Sequence, residues 1–279
     1  MLRLPLIIAL LFTGVLCSQG IVCSVEDRNV FNSKVEAIKD LPNEAAGTLL
    51  VSVGSTFLGT PYVAGTLEIG EIEQLVINLQ GLDCTTFVEN VLALSLLIRE
   101  QDTSFDNYAK ALQKIRYRDG QLTGYASRLH YFSEWIRDNE KKGLVKDMSI
   151  GLGGLPSGKT LNFMTSNREL YPRLSDPGAF QKMEAVERQL ENQPYSYIPG
   201  KVLIKRVNDL RHGDIIALAT NINGLDVTHT GIVFRKENGV LHLLHASSRG
   251  QVEVSEKPLL DYLSGVKGNT GILVARPIF

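Results

Sequence analysis

Cysteine is scarce in this chain. There are three in 279 residues, with one tryptophan and four methionines. So few cysteines exclude a disulfide framework and a Cys-rich zinc site. An excess of charge of one sign is missing too: 29 Lys and Arg stand against 30 Asp and Glu. With no basic stripe, a nucleic-acid partner is not expected. The signatures of several enzyme classes are absent. There is no HExxH, and the five histidines fit no closed zinc pattern. No Gly-rich phosphate loop follows a strand, and no GxSxG elbow occurs. Neither metal nor cofactor is expected.

Long hydrophobic runs are also lacking, save one at the start. Arg3 precedes an apolar stretch over residues 4–16, and Ser18-Gln19-Gly20 offers small residues for cleavage. Residues 1–20 are expected to be a secretory signal peptide, too short for a comfortable membrane span. Leu16 before Cys17 and Val22 before Cys23 argue against lipidation. The mature chain is expected to be exported, periplasmic or secreted, and soluble, without stable membrane insertion. Cys23 and Cys84 remain in it. One bridge from the N-terminal tail would constrain little, so two thiols are expected.

What is present is helical periodicity first and strand alternation later. Helices are expected over residues 27–41, 43–59, 105–116, 125–142 and 176–192. Residues 67–79 read as a hairpin or strand pair. From Tyr195 on, short strands are expected at 202–204, 214–220, 227–235, 240–246, 251–254 and 271–277, with a short helix at 258–263. Asn238-Gly239 is a hairpin signal. Helices followed by an antiparallel sheet give an α+β class, read as one domain over 21–279 with a mainly helical block at about 100–193.

The chain is organised around Gly81-Leu-Asp-Cys-Thr-Thr-Phe-Val-Glu89. A loop ends at Asp83, and apolar residues then recur at helical spacing. Asp83 or Thr85 caps this helix, placing Cys84 in or beside its first turn. Unpaired N–H groups and the helix dipole there favour a thiolate, the form that attacks carbonyls. Taken alone, such a cysteine is also an ordinary small core residue. A nucleophile needs a base and a group to orient it. His229 and His245 lie on two strands of one expected hairpin, sixteen residues apart, an even number. A two-residue turn at Asn238-Gly239 pairs residues whose numbers sum to about 477. That sets His245 near Ile232 or Phe234, not opposite His229. His242 has odd spacing, His212 sits in a turn, and His130 sits in a helix.

Five ordered motifs carry a resemblance. They are Gly59-Thr-Pro-Tyr-Val-Ala-Gly65, Gly81-Leu-Asp-Cys-Thr-Thr-Phe-Val88, Arg211-His-Gly-Asp-Ile-Ile216, His229-Thr-Gly-Ile-Val233 and His245-Ala-Ser-Ser248. Together they resemble the NlpC-type papain-like cysteine peptidases of bacterial cell walls. Gly124-Tyr-Ala-Ser-Arg-Leu-His-Tyr-Phe132, Trp135 and Asn162-Phe-Met164 resemble the N-acetylmuramoyl-L-alanine amidase-like branch.

The resemblance implies a papain-like fold, with the nucleophile at a helix N-terminus packed on an antiparallel sheet. It implies Cys84 as nucleophile, His229 as base and His245 as orienting group. Tyr62, Asp83 and Thr85 match residues lining the substrate site. Thr85-Thr86 stands where Ser-Gly is usual, which implies a changed specificity. The loop between the two histidines is longer than in many relatives. Arg128, His130, Tyr131 and Trp135 become candidate contacts to peptide stems and sugar faces. The implied activity is hydrolysis of the amide between N-acetylmuramic acid and L-alanine in peptidoglycan fragments (muropeptides). A γ-D-glutamyl-diamino acid endopeptidase, a non-catalytic wall-binding module and an acyltransferase are the alternatives.

Overall fold

The computed structural model describes residues 20–279; the expected signal peptide lies outside them but for Gly20. The chain is α+β. The first half runs β1 (Ile21–Val22), α1 (Val25–Ile38), α2 (Ala46–Ser55), β2 (Leu75–Val76), α3 (Cys84–Glu100), α4 (Phe105–Arg116), α5 (Phe132–Lys141) and β3 (Val145–Asp147). The second runs β4 (Leu155–Pro156), α6 (Phe163–Ser166), α7 (Pro177–Glu191), β5 (Ser196–Pro199), α8 (Gly200–Arg206), β6 (Ile215–Thr220), β7 (Val227–Arg235), β8 (Leu241–Ala246), β9 (Val252–Val254), α9 (Leu259–Ser264) and β10 (Asn269–Pro277).

Eight strands form one antiparallel sheet. Seven run in the order β4-β5-β10-β6-β7-β8-β9, and β3 joins β10 near its C-terminal end. Both faces are covered. Ile232, Leu244 and Ala246 pack into the larger core with α2 and α3; Val233, Leu243 and Ile216 pack with Leu259 and Leu263 of α9 on the other side. Every residue of α3 from Thr86 to Ile98 is buried. A helix apolar on all sides belongs inside a core.

Two capping boxes fix the approach to Cys84. Ser24 and Asp27 cap α1 reciprocally, and the second Asp27 oxygen accepts the Leu79 N–H at 2.9 Å. Asn78 then accepts from the Gln80 and Gly81 N–H groups, both at 3.0 Å. Asp83 and Thr86 cap α3: the Asp83 carboxylate takes the Thr86 N–H at 2.7 Å, and the Asp83 N–H donates to the Thr86 hydroxyl at 2.9 Å. The Arg211–Ile216 motif is scaffolding. Asp214 takes two hydrogen bonds from Arg276, at 2.7 and 2.8 Å. Gly213, at φ +87°, lies so close to Gly47 that a Cβ would strike its Cα at 2.2 Å.

Several expectations need correction. Residues 202–204 are helical, within α8: only one face is needed, since Leu203 is buried and Ile204 is 63% exposed. Residues 67–79 hold one two-residue strand, paired in parallel with β1. The helix expected over 125–142 is broken. A 3-10 turn covers Tyr125–Ser127, Arg128 is extended at φ −67° and ψ 140°, and α5 starts only at Phe132. The helical block is also not separate from the sheet, because β3 and β4 lie within it and pair with β10 and β5. Strands β3, β4 and β5 are too short, and β4 too exposed, to alternate visibly in sequence.

Candidate active site

Cys84 is the first residue of α3, where the backbone N–H has no partner within the helix. The loop before it is stitched to the far end of the sheet. Tyr62 donates its N–H to the Gly250 carbonyl at 2.7 Å, and Val63 donates to Leu82 at 3.1 Å. Thr60 accepts from Val252 at 2.8 Å. These bonds bring Tyr62 beside Asp83 and Cys84, and burial together with those two neighbours pushes its phenol up. Thr230 of β7 donates its hydroxyl to the Cys84 carbonyl at 2.8 Å, tying the helix start to the strand that carries His229.

The two histidines meet. His229 Nε2 and His245 Nδ1 are 2.7 Å apart, with the rings nearly perpendicular and 4.9 Å between centroids. The reason is a one-residue correction to the expected register. Lys236 donates to Val240 and Gly239 donates back to Lys236, with Gly239 at φ +83°. This is a longer turn ending in a left-handed glycine, not a two-residue turn. Ile232 therefore faces Leu244, and Phe234 faces His242. His245 falls opposite Gly231, whose ideal Cβ would sit 3.0 Å from the His245 Cβ. His229 is two residues further along the same face, a diagonal neighbour. Absence of a side chain at Gly231 leaves room for the imidazole.

Both imidazoles are held neutral. Burial lowers His229 from 6.5 to about 4. Burial, helped by His229 and Arg249, lowers His245 to about 3. The Cys84 thiol is pushed up by burial and by the Asp83 carboxylate, against hydrogen bonds from Thr230 and Thr85 that favour the thiolate. Burial and the Asp83 carboxylate thus oppose the thiolate that the helix start favours. His229 uses Nε2 on His245, so Nδ1 is the nitrogen left to take a proton.

The remaining expected contacts divide. Thr85 lies against the thiol, whereas Thr86 is buried in the cap. Arg128 is buried and its charge is matched by Glu68 at 2.7 Å and Glu73 at 3.3 Å. His130 bonds the Tyr125 carbonyl at 2.9 Å and is held neutral, chiefly by burial. Tyr131 and Trp135 are closed off from solvent, at 1% and 0% exposure. Tyr131 donates to Glu187 at 2.7 Å, and Trp135 stacks on Phe132 at 4.7 Å. Both belong to the interior. No disulfide joins Cys23 and Cys84. Three residues near the site were given no role from the sequence: Thr230, Tyr262 and Glu253. Tyr262 of α9 sets its ring 5.1 Å from His245. Thr230 was visible only as the neighbour of His229, and Glu253 as a charge on a short strand.

Among the described residues no group of His, Cys, Asp or Glu is placed to hold a metal ion. No helix there is long and apolar enough to cross a membrane.

An α+β chain with a cysteine heading its central helix, and a bonded histidine pair on the adjoining sheet, defines a narrow class. The chain belongs to the AmiA-like, N-acetylmuramoyl-L-alanine amidase-like family, whose profile matches residues 52–272. It is similar to an N-acetylmuramoyl-L-alanine amidase from Bacteroides uniformis ATCC 8492, at 40% identity and a TM-score of 0.79, over 84% of this chain and 99% of that one. It is also similar to a putative xylanase from Bacteroides fragilis, at 42% identity and 0.75, over 80% and 98%. A Legionella pneumophila protein at 20% identity shares the fold, with a TM-score of 0.70 over 91% and 96%. No curated protein sequence matches.

Proposed function

We propose that the protein is an exported cysteine amidase of the papain-like class, cleaving the bond between N-acetylmuramic acid and L-alanine in muropeptides. The observation that carries this reading is Cys84 at the start of α3 together with the His229–His245 bond. His229 Nδ1 draws the Cys84 proton, and the thiolate attacks the amide carbonyl. The raised thiol and lowered imidazole make that transfer uphill at rest. It therefore completes only as the carbonyl is attacked. The Cys84 backbone N–H, unused within the helix, is available to the developing oxyanion. His229 returns the proton to the leaving amine, and water then hydrolyses the thioester. Tyr62, Asp83 and Thr85 line the approach, and Thr85 narrows it beside the sulfur.

A glycan-cleaving reading, prompted by the neighbour described as a xylanase, has less support. Such chemistry uses two carboxylates flanking the bond. Here Asp83 caps α3, and Glu253 stands beside His245, with Oε1 3.9 Å from Nε2.

Digestion of defined muropeptides, read by mass spectrometry, tests the proposal. Free muramic-acid sugar and intact stem peptide are expected, and Cys84→Ala should lower the rate by about 10⁴-fold or more while the protein stays folded. A sugar still carrying L-Ala–D-Glu, with the rest of the stem released from the diamino acid onward, would identify the endopeptidase instead. Unchanged muropeptide, or an active Cys84→Ala variant, would overturn the cysteine amidase.

A further inference from the structure

His245 Nε2 is buried and has no hydrogen-bond partner among the described residues. That is a costly state for a polar nitrogen that carries a proton. The bond between the two imidazoles decides whether it does. Only one proton lies between His229 Nε2 and His245 Nδ1, at 2.7 Å. For His229 Nδ1 to be vacant, that proton must belong to His229 Nε2. His245 Nδ1 is then the acceptor, and the one proton of neutral His245 must sit on Nε2. The orphaned atom is therefore an N–H donor in the state competent for proton abstraction.

Four groups surround it. Tyr262 offers its ring edge, with centroids 5.1 Å apart. Arg249 brings a positive charge, which accepts nothing. His229 is already bonded through the other nitrogen. Glu253 is the fourth, and it is the direct cross-strand partner of His245 in the β8–β9 ladder. Partners in a ladder point to the same face. The Glu253 Oε1 lies 3.9 Å from His245 Nε2, and its side chain is 38% exposed. It stands about 1 Å beyond the length of a charge-assisted bond, on a side chain with three rotatable torsions and open space to move in.

We propose that Glu253 is a positioning residue: its carboxylate accepts the His245 Nε2–H and so fixes the tautomers of both imidazoles. This rests on reading Cys84, His229 and His245 as the reacting unit. No proton leaves for Glu253. Its role is to make one arrangement of protons the stable one, with His229 Nδ1 bare. When His229 becomes positively charged, the negative carboxylate behind His245 also opposes the nearby Arg249.

The tautomers are measurable directly. In the full chain with ¹⁵N-labelled histidine, long-range ¹H–¹⁵N correlation should show His245 protonated on Nε2 and bare on Nδ1. Glu253→Leu should shift His245 toward the Nδ1-protonated form and lower kcat about tenfold or more, with KM little changed, the range seen when partners that orient an imidazole are removed. Glu253→Gln keeps a carbonyl acceptor and should recover the wild-type tautomer and most of kcat. A wild-type His245 bare on Nε2, or a Glu253→Leu variant with wild-type tautomers, would overturn the assignment. If the wild type proves inactive on muropeptides, the functional reading falls while the tautomer measurement still decides the role of Glu253.

Discussion

The hairpin that carries the histidines and the helical block at about 100–193 are held by different physics. In the hairpin, position comes from the backbone. The β6–β7–β8–β9 ladder sets the histidines, and the Asp83–Thr86 cap sets Cys84. In the block, side chains do the positioning. Arg116 bonds Glu89 at 2.7 Å and the Val76 carbonyl at 2.6 Å, fully buried. Arg118 pairs with Glu134 at 2.7 Å, and Arg128 with Glu68 and Glu73. Tyr131 and Trp135 fill the interior between them. A ladder spreads its restraint over many bonds, whereas an ion-pair lattice concentrates it on few atoms. The site chemistry sits on the first kind of frame and is braced by the second.

Changes in the block should therefore reach activity only through stability. Trp135→Ala removes a fully buried ring and should cost about 3–5 kcal/mol. Arg116→Met should cost a similar ~3–5 kcal/mol, since it leaves the Glu89 carboxylate buried without its partner. Urea unfolding measures both. Specific activity per folded molecule should stay near wild type at low temperature; a large loss there would mean that the block touches substrate through these residues after all.

Acid titration separates the two regions in another way. His229 must be neutral to take a proton, and its value is lowered to about 4. Activity should therefore persist below pH 6.5 and fall as pH drops through about 4, seen as the acid limb of kcat/KM. Stability follows the same groups. Both histidines bind protons less readily folded than unfolded, so their contribution is complete above about pH 6.5 and is lost as pH falls toward 4 and 3. An acid limb at 6.5 would contradict a buried neutral pair. The smallest effect belongs to the helix cap. Thr86→Ala keeps the Asp83 acceptor but removes the reciprocal hydroxyl, and should cost about 1 kcal/mol in thermal unfolding.

This contrast also explains what was legible in the sequence. The start of α3 at Cys84 followed from loop, cap and apolar period, all local signals. β7 and α4 were readable to the residue for the same reason. The histidine pairing was not, because one left-handed glycine in the turn moved the register by one and brought His245 opposite Gly231. The block was harder still. Arg128 breaks the helix expected over 125–142, and the break lets its guanidinium reach Glu68 and Glu73, some sixty residues earlier. No periodicity announces such a partner. Tyr131 and Trp135, part of the amidase-like motif, are packed into the interior.

The two short strands within the block have a wider meaning. β3 and β5 share one edge of β10, and β4 covers β5 in turn. Without them the rim of the sheet would present open backbone groups, a template for self-association. The block is thus tied into the sheet by its own backbone. A deletion that took β3 and β4 with it would bare the outer edges of β10 and β5.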